Sequence, residues 1–169
     1  ADWQGRGLRV LYVEHNGFDA DLLARHLAEH APHIRLTVSS TADEALDLLP
    51  AGPDESTAFD VILTDYRLPG MDGLELVRTL RRVRRLDLPI VLITGQGSED
   101  LAAKALGMGI DDYLAKHEGY LFEVAAILEK VQRHTGRLHA MLEDLLVLTQ
   151  LESGAEPDRR TRIALRDFV

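Results

Sequence analysis

The chain has 169 residues, 46% hydrophobic and 28% charged, with no cysteine and a formal net charge of −9 from 19 basic and 28 acidic side chains. This is the composition of one folded domain with a short extension, not of a disordered chain. It excludes disulfide scaffolds, Cys-ligated zinc, iron–sulfur clusters and thiol catalysis, it argues against nucleic acid as a partner, and no apolar run reaches the length of a membrane span.

Residues 1–7 have no signal-peptide layout and read as a loose leader, so a soluble, cytoplasmic protein is expected. From Leu8, short apolar runs alternate with amphipathic stretches. Leu8-Arg9-Val10-Leu11-Tyr12-Val13 is β-branched and aromatic, a first strand. Asp19 to Glu29 places Leu22, Leu23, His26 and Leu27 at helical spacing. Ile34-Arg35-Leu36-Thr37-Val38 alternates strictly, as a strand near a sheet edge does. Thr41 followed by Glu44 reads as a capping box opening a helix through Leu49, and a surface loop follows from Ala51 to Ala58. Val61-Ile62-Leu63-Thr64 and Ile90-Val91-Leu92-Ile93 are continuous and apolar, as expected of strands buried on both faces. Between them, Asp72 with Glu75 starts a helix to about Arg85. Ser98 caps a helix that ends near Gly107 and Gly109, and Asp112-Tyr113-Leu114-Ala115 is a weaker fifth strand.

Five strands alternating with five helices predict a parallel sheet with helices on both faces. At this length the expected fold is α/β, a flavodoxin-like doubly wound (βα)5 with strand order 2-1-3-4-5. Its crevice lies at the carboxyl ends of the strands. Glu14 and His15 follow strand 1, Asp65 follows strand 3, Thr94 and Gly95 follow strand 4, and Lys116 follows strand 5. A nucleotide or flavin site would need a Gly/Ser/Thr phosphate loop after strand 1. Glu14-His15-Asn16 is acidic instead, which points to metal-assisted carboxylate chemistry.

Leu11-Tyr12-Val13-Glu14, the run from Val61 through Asp65 to Leu68-Pro69-Gly70-Met71-Asp72-Gly73, Leu92-Ile93-Thr94-Gly95 and Asp112-Tyr113-Leu114-Ala115-Lys116 stand in this order along residues 8 to about 135. Together they resemble the response-regulator receiver domain of two-component signalling. The resemblance implies that Asp65 accepts a phosphoryl group from the phosphohistidine of a histidine kinase or a histidine phosphotransfer protein. Thr94 would bond a phosphoryl oxygen, with Gly95 beside it, and Lys116 would pair with another. Mg2+ would be held by Glu14, Asp65 and the backbone carbonyl of Arg67. Tyr113 would be the aromatic switch, although core packing serves equally as its role. A receiver is not an enzyme in its own right, and no kinase ATP-binding motif occurs in the chain. General chemistry agrees: phosphoryl transfer to an anionic nucleophile needs positioning and positive charge.

Two positions depart from the family pattern. His15 stands where a second acidic metal ligand is usual. Imidazole suits other metals better than magnesium, so weaker Mg2+ binding is expected, with Mn2+ as an alternative. His117 stands where proline often follows the lysine. The basic run Arg78, Arg81, Arg82, Arg84, Arg85 reads as the solvated face of the third helix. His26, His30, His33, His134 and His139 lack metal-site spacing, and His30 and His33 are expected to face solvent.

The domain is expected over residues 8–135, with a helical extension at 136–153 and a mobile tail at 154–169. Leu121, Val124, Leu128, Val131, Thr135, Leu138, Leu142 and Leu145 recur at alternating spacings of three and four. That is a coiled-coil seam on a helix of about 50 Å, and it predicts a homodimer with Leu128, Val131, Leu138, Leu142 and Leu145 at the contact. The stretch Met141 to Gly154 is similar to the second dimerisation helix of histidine kinases, without the phosphoacceptor histidine motif. Two other readings stay open: a phosphorylation-independent dimeric scaffold, because of His15, and the regulatory fragment of a hybrid histidine kinase.

Overall fold

The computed structural model describes residues 3–152, without the side chains of residues 3, 4, 134–144 and 150–152. The expected tail at 154–169 lies outside the described residues. A helical turn, Trp3–Arg6, stands within the expected leader, and Arg6 pairs with Asp60 at 3.0 Å. The strands are β1 (Leu8–Val13), β2 (Ile34–Ser39), β3 (Val61–Asp65), β4 (Ile90–Thr94) and β5 (Asp112–Ala115). They form one parallel sheet ordered β2-β1-β3-β4-β5, as the alternation predicts. The helices are α1 (Gly17–His30), α2 (Ala42–Leu48), α3 (Gly73–Arg78), α4 (Glu99–Met108) and α5 (Tyr120–Glu152).

Local chemistry explains the helix starts. Asn16 caps α1 by accepting the N–H groups of Phe18 and Asp19, Ser98 caps α4, and Gly109 ends α4 at φ 100°. At α3, Asp72 and Glu75 form the full reciprocal capping box. At α2 only half of the expected box closes: Thr41 accepts the Glu44 N–H, while Glu44 reaches past the cap to the N–H of Ser40. Helix α3 does not run on as an α-helix to Arg85; Thr79–Val83 widens into a π turn.

The sheet is buried on both faces. Leu11, Ile62, Ile90 and Leu92 face α2, α3 and α4, packing with Ala45, Leu76, Leu80 and Ala105. Val10, Tyr12, Leu63, Val91 and Ile93 face α1 and α5, packing with Leu23, Leu27, Val124 and Leu128. Leu128 is therefore not a dimer contact: it is fully buried inside its own domain. Val131 packs on the same cluster. Leu138 and Leu142 fall among the side chains that are not described, whereas Leu145 is 60% exposed and Leu146, Val147 and Leu148 beside it are also exposed.

The basic run is also divided. Arg78, Arg82 and Arg85 are exposed as expected. Arg81 instead bonds the carbonyls of Gly109 and Leu86 and pairs with Asp111. Arg84 Nη1 donates toward the carbonyls of Leu46, Leu49 and Pro50, at 2.6, 3.1 and 3.2 Å, and so closes the carboxyl end of α2. Among the described residues no helix is long and apolar enough to cross a membrane.

Candidate functional site

The parallel register carries the ends of β1, β3, β4 and β5 to one edge: Val13 lies beside Thr64, Asp65 beside Ile93, and Thr94 beside Ala115. Glu14 and Lys116 directly follow β1 and β5, Asp65 and Thr94 end β3 and β4, and the helix that follows each strand begins near this edge. Two charged groups expected there are nonetheless buried: Glu14 is 2% exposed and Asp65 6%. A buried carboxylate needs a partner of opposite charge or several hydrogen bonds.

Lys116 supplies the charge. Its Nζ lies 3.1 Å from Glu14 Oε2, 3.1 Å from Asp65 Oδ2 and 2.8 Å from Asp19 Oδ2. Three ammonium protons thus meet three carboxylates. The Lys116 N–H donates to the Thr94 carbonyl at 2.8 Å, which ties the lysine to the end of β4. Burial alone would lower the ammonium's pKa. The bond to Asp19 and the charges of Asp65 and Glu14 outweigh it and hold Lys116 above its ordinary value. Asp65 Oδ1 accepts the Arg67 N–H at 3.2 Å. Glu14 Oε1 accepts the Asn16 N–H at 3.0 Å, and Tyr12 Oη donates to Oε2 at 3.4 Å. Burial, and then the adjacent Asp65 carboxyl, push Glu14 up to about 7, against the pull of Asn16 and Lys116. At pH above that value the edge carries three carboxylates and one ammonium, so it attracts a further cation.

The remaining expected residues take distinct places. Thr94 is fully buried, and its Oγ1 accepts the Gln96 N–H at 3.3 Å. Gly95 faces open space, so a larger residue would fit there. Tyr113 is partly buried, and its hydroxyl has no hydrogen-bond partner among the described residues. A Cβ on Gly97 would meet that hydroxyl at 2.7 Å, which makes Gly97 the roof over the tyrosine. His15 turns outward: its side chain is 50% exposed, and Nδ1 is 3.9 Å from Glu14 Oε1. It adds no bond to Asp65. The Arg67 side chain crosses the mouth of the site to Gln96 Oε1. His117 makes an ion-pair contact with Glu123 at 3.0 Å, and its pKa is raised by the Glu118 carbonyl and by Glu123.

The sequence reading missed Asp19 and Gly73. A Cβ on Gly73 would lie 2.3 Å from the Asp65 carbonyl oxygen, so only glycine lets α3 start against the end of β3. Its place closing the Leu68–Gly73 motif was the available signal. Asp19 carried none beyond being acidic in the first turn of a helix.

A donor set of carboxylates and a backbone carbonyl suits a hard divalent cation that keeps some of its water. Among the described residues no three His, Cys, Asp or Glu side chains stand ready to hold a metal by themselves. The buried Glu14 and Asp65 carboxylates, both within 3.1 Å of Lys116 Nζ, are oxygen donors of that kind, and two of them fit such an ion only with other oxygens, water among them, completing the shell.

A five-stranded doubly wound sheet with two buried carboxylates and a lysine at its carboxyl edge is the frame of a signalling receiver domain. The chain belongs to the response regulator receiver domain family, whose model matches residues 10–131. It is 38% identical over 112 residues to the cyclic di-GMP phosphodiesterase response regulator RpfG of Xanthomonas campestris pv. campestris, an alignment covering 65% of this chain and 28% of that protein. It spans 22–34% of the length of the first four curated relatives it matches. Among solved structures, the Francisella response regulator 1452 receiver domain matches with a TM-score of 0.66 and 25% identity, over 76% of this chain and 99% of that one. The receiver domain of sensor histidine kinase PA1611 from Pseudomonas aeruginosa PAO1, which has a magnesium ion coordinated in its active-site cleft, matches with a TM-score of 0.59 and 26% identity, over 75% of this chain and 98% of that one.

Proposed function

We propose that Asp65 is the phosphoacceptor of a two-component phosphorelay, supplied by the phosphohistidine of a kinase or phosphotransfer protein. The observation that carries this reading is the Asp65 carboxylate, held at 3.1 Å by Lys116 and at 3.2 Å by the Arg67 N–H, beside the buried Glu14. A carboxylate oxygen forms the new bond to phosphorus. The P–N bond to the donor imidazole breaks, and its electron pair stays on the ring nitrogen. Glu14, Asp65 and the Arg67 carbonyl would hold Mg2+ with water, or Mn2+ in its place. The ion supplies charge neutralisation between two anions as they approach.

Lys116 then turns a proton toward a phosphoryl oxygen, and Thr94 offers its hydroxyl to another. The modification replaces one carboxylate by a group of about −1.5 to −2 charge with new acceptors. Lys116 and Thr94 are joined through backbone, so their response bears on the face made by α4, β5 and α5. The exposed Leu145–Leu148 stretch supports a second copy docking along α5, which would pass the state on. The PA1611 likeness keeps the hybrid-kinase reading as an alternative context for the same site.

The test is intact mass after incubation with acetyl phosphate, with Mg2+, with Mn2+ and with chelator, beside Asp65→Asn. The expected result is a metal-dependent gain of one phosphoryl group, absent in Asp65→Asn. No gain with either metal, from folded protein, would replace this reading with the scaffold.

A further inference from the structure

Asp19 has no part in the chemistry above, yet it makes the shortest of the three bonds to Lys116, 2.8 Å against 3.1 Å for both Glu14 and Asp65. The contact bridges 97 positions of sequence. It depends on an exchange of partners at the start of α1. Asn16 is the N-cap, so Asp19 is the third helical residue, where an acidic side chain ordinarily turns back to accept the N-cap N–H. Here Glu14 Oε1 takes that N–H at 3.0 Å. The Asp19 carboxylate is thereby released from the helix end and extends to Lys116. Its backbone stays fixed, because Asn16 Oδ1 accepts its N–H at 3.3 Å.

The three carboxylates around Lys116 differ in what else they do. Asp65 is the acceptor itself. Glu14 is also bonded to Asn16 and Tyr12. Among the described residues the Asp19 carboxylate has Lys116 as its sole hydrogen-bond partner. Asp21, exposed two residues further along α1, makes no such bond, so charge near the helix start does not explain the contact.

We propose that Asp19 is a positioning residue for Lys116: it holds the ammonium while one of its protons moves from the Asp65 carboxylate to a phosphoryl oxygen. The proposal rests on the phosphoacceptor reading. When Asp65 is modified, its attacking oxygen becomes the bridge to phosphorus and loses its charge. The anionic oxygens now lie further out, and Lys116 must follow them without leaving the site. Asp19, on the first turn of a capped helix, keeps the ammonium tethered as it turns.

The experiment uses the whole chain with 15N-labelled lysine, comparing Asp19→Asn, Asp19→Glu and Asp21→Asn with the wild type. Hydrogen exchange of the Lys116 ammonium is read in the unphosphorylated protein, and the rate of phosphoryl uptake from acetyl phosphate with Mg2+ is read by intact mass. Asp19→Asn is expected to speed ammonium exchange and to slow uptake, each by about tenfold. Asp19→Glu should restore much of both, and Asp21→Asn should change neither. Unchanged exchange in Asp19→Asn overturns the proposal whatever the rate does. Faster exchange with unchanged uptake also overturns it, since Lys116 would then be held to no purpose in transfer. If the wild type takes up no phosphoryl group, the phosphoacceptor reading fails, and the exchange measurement still decides whether Asp19 holds Lys116. If Asp19→Asn does not fold, Asp19→Ser takes its place, and Lys116 exchange no faster than in the wild type overturns the proposal.

Discussion

Two regions of this molecule reverse the ordinary distribution of charge and apolar surface. At the carboxyl edge of the sheet, Glu14 and Asp65 are buried charges. On the distal part of α5, Leu145, Leu146, Val147 and Leu148 are apolar side chains in solvent. The first region is compensated from within: Lys116 and the N–H groups of Asn16 and Arg67 satisfy the carboxylates. The second has nothing within the described residues to cover it. Buried carboxylates held by one lysine and backbone N–H groups make a site that still draws a cation, while an apolar stretch left open is a surface that a second body can cover.

The contrast between buried and exposed positions is widest within α5 itself. Leu128→Ala should cost about 3 kcal/mol in denaturant unfolding, because it empties a fully buried position. Leu145→Ala should leave the domain within about 0.5 kcal/mol of the wild type. If a second copy docks along α5 as proposed, sedimentation should show the opposite order: Leu145→Glu with Leu148→Glu should abolish self-association and leave the unfolding midpoint of the receiver unchanged. If both halves of α5 responded alike, the division would be wrong.

The charged edge gives a comparable effect. Lys116→Met leaves Glu14 and Asp65 without their cation and should cost about 3 kcal/mol at pH 8. Combining it with Glu14→Gln should recover part of that loss, since one buried charge is removed together with its partner. Additive losses in the double variant, measured by urea unfolding, would mean that Lys116 does not compensate Glu14.

The smallest effect concerns the join between α1 and the proximal half of α5. His26 packs edge-on against Phe122 with ring centroids 4.5 Å apart, and lies 4.5 Å from His30. Burial, then the nearby His30, hold its pKa below the ordinary 6.5, against a weaker upward pull from Glu29. The neutral ring is thus the folded form. Its contribution is complete above the ordinary value and is lost as pH falls through the lower folded one. The melting temperature should therefore drop between pH 7.5 and pH 5, and His26→Phe, which keeps the ring against Phe122, should reduce that drop. An identical drop in His26→Phe would assign the acid sensitivity elsewhere.

How much of this was legible varied with the range of the interaction. The strands at Leu8–Val13 and Asp112–Ala115, the Asp72–Glu75 box and the Gly109 stop depend on neighbours a few positions away, and local pattern reports them well. Glu14, Asp65 and Lys116 were legible for a different reason: parallel strands in a doubly wound sheet all end at one edge. Arg84 was not, because its partners Leu46, Leu49 and Pro50 lie 38, 35 and 34 positions away, at and just past the end of α2. A run of arginines reads the same whether its members face water or carbonyls.

Short-range pattern was enough to specify the doubly wound sheet and to bring Glu14, Asp65, Thr94 and Lys116 to its carboxyl edge, since hydrophobic periodicity and strand ends are properties of short stretches. It also determined that the last helix has an apolar stripe to bury. What buries that stripe is a matter of long-range packing: the sheet takes Val124 and Leu128, and Leu145 is left outside. Only the tertiary structure turned His15 away from Asp65 and brought Asp19 to Lys116. The direction of a side chain at the mouth of a site is set by which distant group competes for it, and no spacing along the chain records that competition.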